Sequence, residues 1–216
     1  MFSYFGIVPP PMFGAASVPI ADPPVITAQP QSQVLYQVGG PLKINGAAVT
    51  GYTSLQWQRL SNGNWIDFTG QTGLNFNAAT VGNVPGQYRL KALNGNSAPA
   101  YSNEVQVISA YLSIVSDMSS NTGPDAVTKG ANNQTYTGAL LKGQRYYSAR
   151  IIYAADGSDQ GRAVASWTTS ASAVAPISNV TATGQLRSDI STDPTGKSAT
   201  ITATYGLLTS TLKLTG

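Results

Sequence analysis

The chain has 216 residues, of which only 10% are charged: 12 Lys and Arg against 9 Asp and Glu, a net charge of +3. Cys and His are both absent, which excludes disulfides, thiolate and imidazole metal sites, Ser–His–Asp triads and Cys–His dyads. The basic residues are scattered, so no stripe suited to a nucleic-acid backbone forms, and the 22 glycines with many small polar residues suit short strands and tight turns rather than long solvated helices.

Residues 1–22 read as an extended arm. Phe2, Tyr4, Phe5, Ile7, Val8, Met12 and Phe13 lie between prolines and glycines, and Pro9, Pro10 and Pro11 favour polyproline II backbone over helix. The first basic residue is Lys43, so the basic n-region of a secretion signal is missing, and the segment is expected to be retained. Pro19-Ile20-Ala21 is the one feature that loosely resembles a cleavage site. No segment is long and apolar enough to span a bilayer. So much exposed aromatic surface predicts a docking peptide whose seven apolar side chains bind a partner. The other reading folds the arm back onto the chain's own first domain.

Residues 23–109 predict a first β-sandwich. Period-2 alternation recurs at Leu42/Ile44, Leu55/Trp57, Leu74/Phe76/Ala78, Tyr88/Leu90/Ala92 and Val105/Val107. Turn signals separate these runs: Asn45-Gly46, Asn62-Gly63, Pro85-Gly86 and Asn94-Gly95. Leu55-Gln56-Trp57-Gln58 resembles the third strand of an immunoglobulin-fold domain, with Trp57 as its core tryptophan. Pro85-Gly86-Gln87-Tyr88-Arg89-Leu90 resembles the penultimate strand, with Tyr88 as the tyrosine corner. The resemblance implies that Ile44 and Leu90 stand where such domains carry their disulfide.

After a short join at Ser109-Ala110-Tyr111, residues 110–216 predict a second sandwich, stacked on the first with limited bending. Strands are expected at Tyr111–Val115, Tyr147–Tyr153, Val164–Ser170, Ala173–Ser178, Gly184–Leu186, Gly196–Gly206 and Ser210–Leu214, with a long loop over Asp117–Asn133. Asp156-Gly157-Ser158 reads as a turn. This order resembles the bacterial Ig-like domain of the second type, found in intimin- and invasin-like adhesins and in phage structural proteins. Trp167, Val174, Ile177, Gly196, Ile201, Ala203 and Tyr205 fall on the family pattern. The 117–133 loop and an apparent insertion at Arg187–Pro194 depart from it. The fold class is therefore expected to be all-β: two tandem immunoglobulin-like sandwiches behind a proline-rich arm. Ile44, Trp57, Tyr88, Leu90, Trp167, Val174, Ile177, Ile201 and Ala203 are the expected core.

Few groups offer chemistry. Asp156 and Asp159 could supply calcium oxygens, but their spacing does not match an EF-hand loop and no closing Glu follows. Asp189 and Asp193 read as turn residues. Neither a phosphate-binding loop nor a dinucleotide fingerprint occurs. No catalytic residue, metal ligand or cofactor is expected. Trp65, just past the Asn62-Gly63 turn, is either a platform for a sugar ring or a side chain packed on the sheet edge. Tyr101, Tyr146 and Tyr147 raise the same alternative.

Together these features predict a non-enzymatic bacteriophage virion protein, on capsid, neck or tail. It would be anchored by the arm on other virion proteins, with room for self-association on the virion, weak contact to bacterial surface glycans and no nucleic-acid partner. A bacterial adhesin and a carbohydrate-binding accessory module are the rival readings.

Overall fold

A computed structural model of the chain describes residues 20–79, 85–117, 126–180 and 184–216; every regular element among them is a β-strand. One layer of the first sandwich pairs β1 (Val25–Ala28) with β4 (Ala48–Thr50) and β3 (Leu42–Ile44) with β7 (Phe76–Ala78), all antiparallel. The facing layer runs β2 (Gln33–Gln37), β10 (Val105–Ser116), β8 (Gly86–Leu93), β5 (Ser54–Ser61) and β6 (Asn64–Asp67). In it β2 runs parallel to β10, the other neighbours are antiparallel, and the short β9 (Ala100–Tyr101) also pairs with β8. The β5–β6 hairpin closes on Asn62 and Gly63 with φ of 49° and 79°, the left-handed pair that matches strand twist in a two-residue turn.

Alternation puts one face of each strand inside. Ile44 on one layer and Leu90 on the other are both fully buried, as are Trp57, Phe76 and Tyr88. Phe76 meets Trp57 edge-on at 6.0 Å and Tyr88 at 5.4 Å between ring centroids, the geometry that ring quadrupoles favour. The Trp57 indole N–H donates to the Gly73 carbonyl at 3.0 Å, so its polar atom is satisfied inside the core.

The second sandwich repeats the plan. One layer runs β10, β13 (Gly143–Tyr153), β17 (Gln185–Ile190) and β16 (Ile177–Val180), with β14 (Asp159–Ala163) also on β13. The other runs β11 (Thr128–Lys129), β12 (Thr135–Ala139), β19 (Leu208–Thr215), β18 (Ser198–Tyr205) and β15 (Ser166–Thr169). Here too one pair is parallel, β12 with β19. Two facing sheets with antiparallel ladders and one parallel pair apiece, formed twice, make two immunoglobulin-like sandwiches. Trp167, Ile201 and Ala203 are buried in the second core, and Trp167 donates to the Gly184 carbonyl at 3.4 Å.

The join expected at Ser109-Ala110-Tyr111 is not a linker. β10 is one strand that closes the first sandwich and opens the second. Ala110 pairs with Gln37 of β2 and with Tyr153 of β13 at once. The buried side of the strand switches there: Val105, Val107 and Ser109 face inward before it, Ala110, Leu112, Ile114 and Ser116 after it. Side chains of a strand alternate between faces. The second core is therefore built on the side of the shared strand that the first sandwich leaves outward.

Three other expectations differ. Ala173–Ser178 is not a continuous strand. Residues 172–174 form a turn closed by the Val174 and Ala175 N–H groups on the Ala171 carbonyl. Val174 and Ile177 are half-buried at the edge of the core, and Ala175 takes the buried position. The supposed insertion at Arg187–Pro194 begins as ladder, since Arg187–Ile190 belong to β17 and pair with Gly143–Tyr146. Of the expected long loop, Thr128–Lys129 form β11, and residues 118–125 lie outside the described residues.

Candidate functional site

The side chains that stand out for binding lie on the outer face of the first sandwich. Because Tyr88, Leu90 and Ala92 of β8 point inward, Gln87, Arg89 and Lys91 point outward. Register places Gln58 of β5 opposite Arg89, and Asp67 of β6 opposite Gln58. These three form a transverse hydrogen-bonded row. Arg89 Nε donates to Gln58 Oε1 at 2.9 Å, and Gln58 Nε2 donates to Asp67 Oδ1 at 2.8 Å. Gln58, at the centre of this row, is buried at 6% exposure. Its amide is thus held in one orientation by partners on both sides, and it fixes the arginine stem in turn.

The guanidinium is flanked by two rings. Its carbon lies 4.2 Å from the Trp65 ring centroid and 4.0 Å from that of Tyr101. Trp65 comes from β6 on one side of β8, and Tyr101 from β9 on the other. A cation over an aromatic face gains roughly 0.5–1 kcal/mol at an exposed site, and two rings restrict the rotation of a long side chain. Arg89 has no ion pair among the described residues, and its two terminal amino groups have no hydrogen-bond acceptor there.

A second row borders the stack. Gln106 of β10 stands opposite Gln87 of β8 on one side and Gln33 of β2 on the other. All three amides share the outward face with Arg89, and Gln33 and Gln106 are exposed there. Gln33 also borders a cleft of about 640 Å³ at the junction, lined by Gln31, Val34, Leu35, Lys43, Tyr205 and Leu207 among others.

The other candidates are placed as follows. Trp65 is half-buried, with Arg89 over its ring, so it is part of a stack rather than a bare platform. Tyr101 remains 40% exposed. The Tyr146 hydroxyl donates to Gln144 Oε1 at 3.4 Å, and Tyr147 is in the second core. Asp156 accepts the Ser158 N–H, which holds its carboxyl below the usual range; Asp159 accepts from Arg150, with the same effect on its own carboxyl. Asp193 accepts the N–H and hydroxyl of Thr195, and Asp189 pairs with Arg187 at 3.0 Å. Among the described residues no three acidic side chains gather as a metal site would require. Phe2, Tyr4, Phe5, Ile7, Val8, Met12 and Phe13 lie outside the described residues. The arm's last residues are tied to the first sandwich, with Asn94 donating to the Asp22 carbonyl at 2.9 Å.

Sequence reasoning singled out Trp65 and missed Arg89. The available signal was the strand alternation, which places Arg89 outward, combined with the hairpin turn that brings Trp65 to the same face.

No protein-family model matches the chain, and no curated protein does. Among solved structures, a chimeric titin Z1Z2 carrying a decorin peptide is 16% identical, with 88% of this chain and 95% of that one covered at a TM-score of 0.34. The titin I9–I11 tandem is 12% identical, covering 89% and 65% at 0.33. The four N-terminal Ig domains of Dscam1 isoform 6.9 are 10% identical, covering 87% and 45% at 0.30, so the chain spans less than half of that structure. The immunoglobulin-like assignment rests on the strand order and register above.

Proposed function

We propose that this chain is a non-enzymatic display protein of a bacteriophage virion, anchored through its N-terminal arm to capsid, neck or tail proteins and holding a recognition face outward. The observation that carries the reading is β10. A strand hydrogen-bonded on both sides across the junction couples the two sandwiches without a flexible linker, which suits a projecting element that must hold one face at a fixed orientation. The arm supplies an apolar docking peptide, and burial of its aromatic residues on a shell would contribute roughly 25 cal/mol per Å². Repetition over a symmetric particle would give avidity to weak outer contacts. The resemblance of the second sandwich to the bacterial Ig-like domain of phage structural proteins supports the same setting, a protein made in the host cytoplasm and found on the virion surface.

The test is co-sedimentation with phage particles stripped of the native protein. Full-length protein is compared with a variant in which Phe2, Tyr4, Phe5, Ile7, Val8, Met12 and Phe13 are replaced by Ser. Binding by the first alone supports the reading. Equal binding by both assigns docking to a sandwich surface, and binding by neither removes the virion role.

A further inference from the structure

We infer that the outer face of the first sandwich binds a carboxylate-bearing glycan, with Arg89 as the residue that recognises the carboxylate. The inference deepens the outward-contact half of the proposed function and leaves the arm's role aside.

Three observations converge. First, Arg89 is held but not used up. Gln58 fixes its Nε, and the Trp65 and Tyr101 ring centroids lie 4.2 and 4.0 Å from its guanidinium carbon. Its two terminal amino groups have no acceptor among the described residues. A guanidinium presents a rigid fork that meets a carboxylate through two parallel hydrogen bonds. Prior restraint lowers the ordering cost of that contact.

Second, a further cation stands beside the fork, and the one acid that adjoins Arg89 in sequence register, the exposed Glu104 just before β10, makes no ion pair with it among the described residues. Lys91 lies two residues along the same outward face, opposite Tyr101 in the ladder. The one acidic side chain in the row, Asp67, is turned to Gln58. Third, the neighbouring surface suits sugar hydroxyls. Gln87, Gln106 and Gln33 set three amides across adjacent strands about 5 Å apart, each able to donate and accept. The exposed part of Tyr101 offers a ring for the apolar face of a pyranose. β5 and β8, which carry Gln58 and Arg89, are paired on both sides, so a peptide laid over the fork would find no ladder edge on those two strands.

The test uses the full chain and isothermal titration at fixed low salt. The probes are oligogalacturonate and sialyllactose, two sources of sugar carboxylate, each with its methyl ester, and dextran sulfate as a polyanion without carboxylates. We expect at least one carboxylated sugar to bind and its methyl ester to lose at least tenfold in affinity. Arg89→Gln should lose at least tenfold, and Arg89→Lys, which keeps the charge but not the fork, should fall between. Circular dichroism checks that each variant folds. The inference is overturned if neither carboxylated sugar binds, if esterification or Arg89→Gln leaves affinity unchanged, or if dextran sulfate binds as tightly. Co-sedimentation of Arg89→Gln with phage particles keeps the two proposals apart. Loss of glycan binding with retained sedimentation concerns this face alone, and loss of sedimentation would implicate it in docking.

Discussion

Leu35 and Leu207 are exchanged across the junction: Leu35 of β2 packs against the core of the second sandwich, and Leu207, in the turn between β18 and β19, packs against the core of the first. Gln37 Oε1 reinforces the exchange by accepting the Thr209 N–H at 2.8 Å. Each leucine is half-buried, so each contributes about 1–2 kcal/mol of coupling by apolar burial. The full chain is therefore expected to unfold in one cooperative transition in urea. In Leu35→Ser/Leu207→Ser the two sandwiches should separate into two transitions, seen as a difference between Trp fluorescence and far-UV circular dichroism. Two transitions already present in the unaltered protein would show that the exchange couples nothing.

Tyr88 gives the first core a dependence on alkaline pH. Burial raises its hydroxyl pKa from 10.0 to about 12, with Arg59 pulling in the opposite direction. The folded pKa lies above the unfolded one, so the native state keeps its proton where the unfolded chain has lost it. The contribution of Tyr88 is complete below pH 10 and is lost as pH rises towards 12, at about 1.4 kcal/mol per pH unit. Urea unfolding at pH 8.5 and pH 11.5 should show a fall of about 2 kcal/mol from this residue. Tyr88→Phe is expected to be less pH-sensitive by that amount, with Tyr136, also raised by burial, still contributing in the same direction. Identical slopes in both proteins would refute the assignment.

Strand alternation made much of the first core legible, because a sheet buried on one face imposes a period of two. Leu42, Ile44, Trp57, Phe76, Tyr88 and Leu90 could be read that way, and all are fully buried. The junction was legible as a break but not as a strand. At Ser109-Ala110 the alternation changes phase because two cores claim opposite sides of one strand, and a phase change in sequence looks like a linker. The family resemblance places Val174 inward, but the turn on the Ala171 carbonyl rotates the chain and leaves Ala175 inside. The Arg89 stack depends on Trp65 and Tyr101 reaching over from separate strands, and no local pattern encodes that proximity.

Asp117 and Asp159 should respond very differently to removal. Asp117 accepts from Ser148 Oγ, from Gln185 Nε2 at 2.8 Å and from Arg162 at 3.3 Å, and its side chain is only 16% exposed. Ser148 is fully buried, so losing the acceptor strands a hydroxyl with no water to replace it. Asp117→Ala is expected to destabilise the second sandwich by about 2–3 kcal/mol. Asp159 pairs with Arg150 where both side chains are more than a third exposed, and solvent screens the pair. Asp159→Ala should cost less than about 1 kcal/mol. Chemical denaturation of both variants provides the comparison, and equal losses would contradict the burial argument.

Gly184 is expected to be the least replaceable glycine in the second sandwich. It has φ of +68°, a region in which an L side chain costs about 1–2 kcal/mol. A Cβ there would also sit 2.3 Å from the Ala163 carbonyl oxygen and 2.9 Å from the Val164 Cα, both backbone atoms that cannot swing aside. The same glycine's carbonyl accepts the Trp167 indole N–H, so displacing it disturbs the satisfied tryptophan as well. Gly184→Ala should therefore lose about 3 kcal/mol or more, adding overpacking to backbone strain. Gly157 at +71° meets nothing within 4 Å and provides the control: Gly157→Ala bears the backbone cost alone. Thermal denaturation of the two variants separates the terms, because a Gly184→Ala protein no less stable than Gly157→Ala would mean that β14 and the start of β17 can move apart.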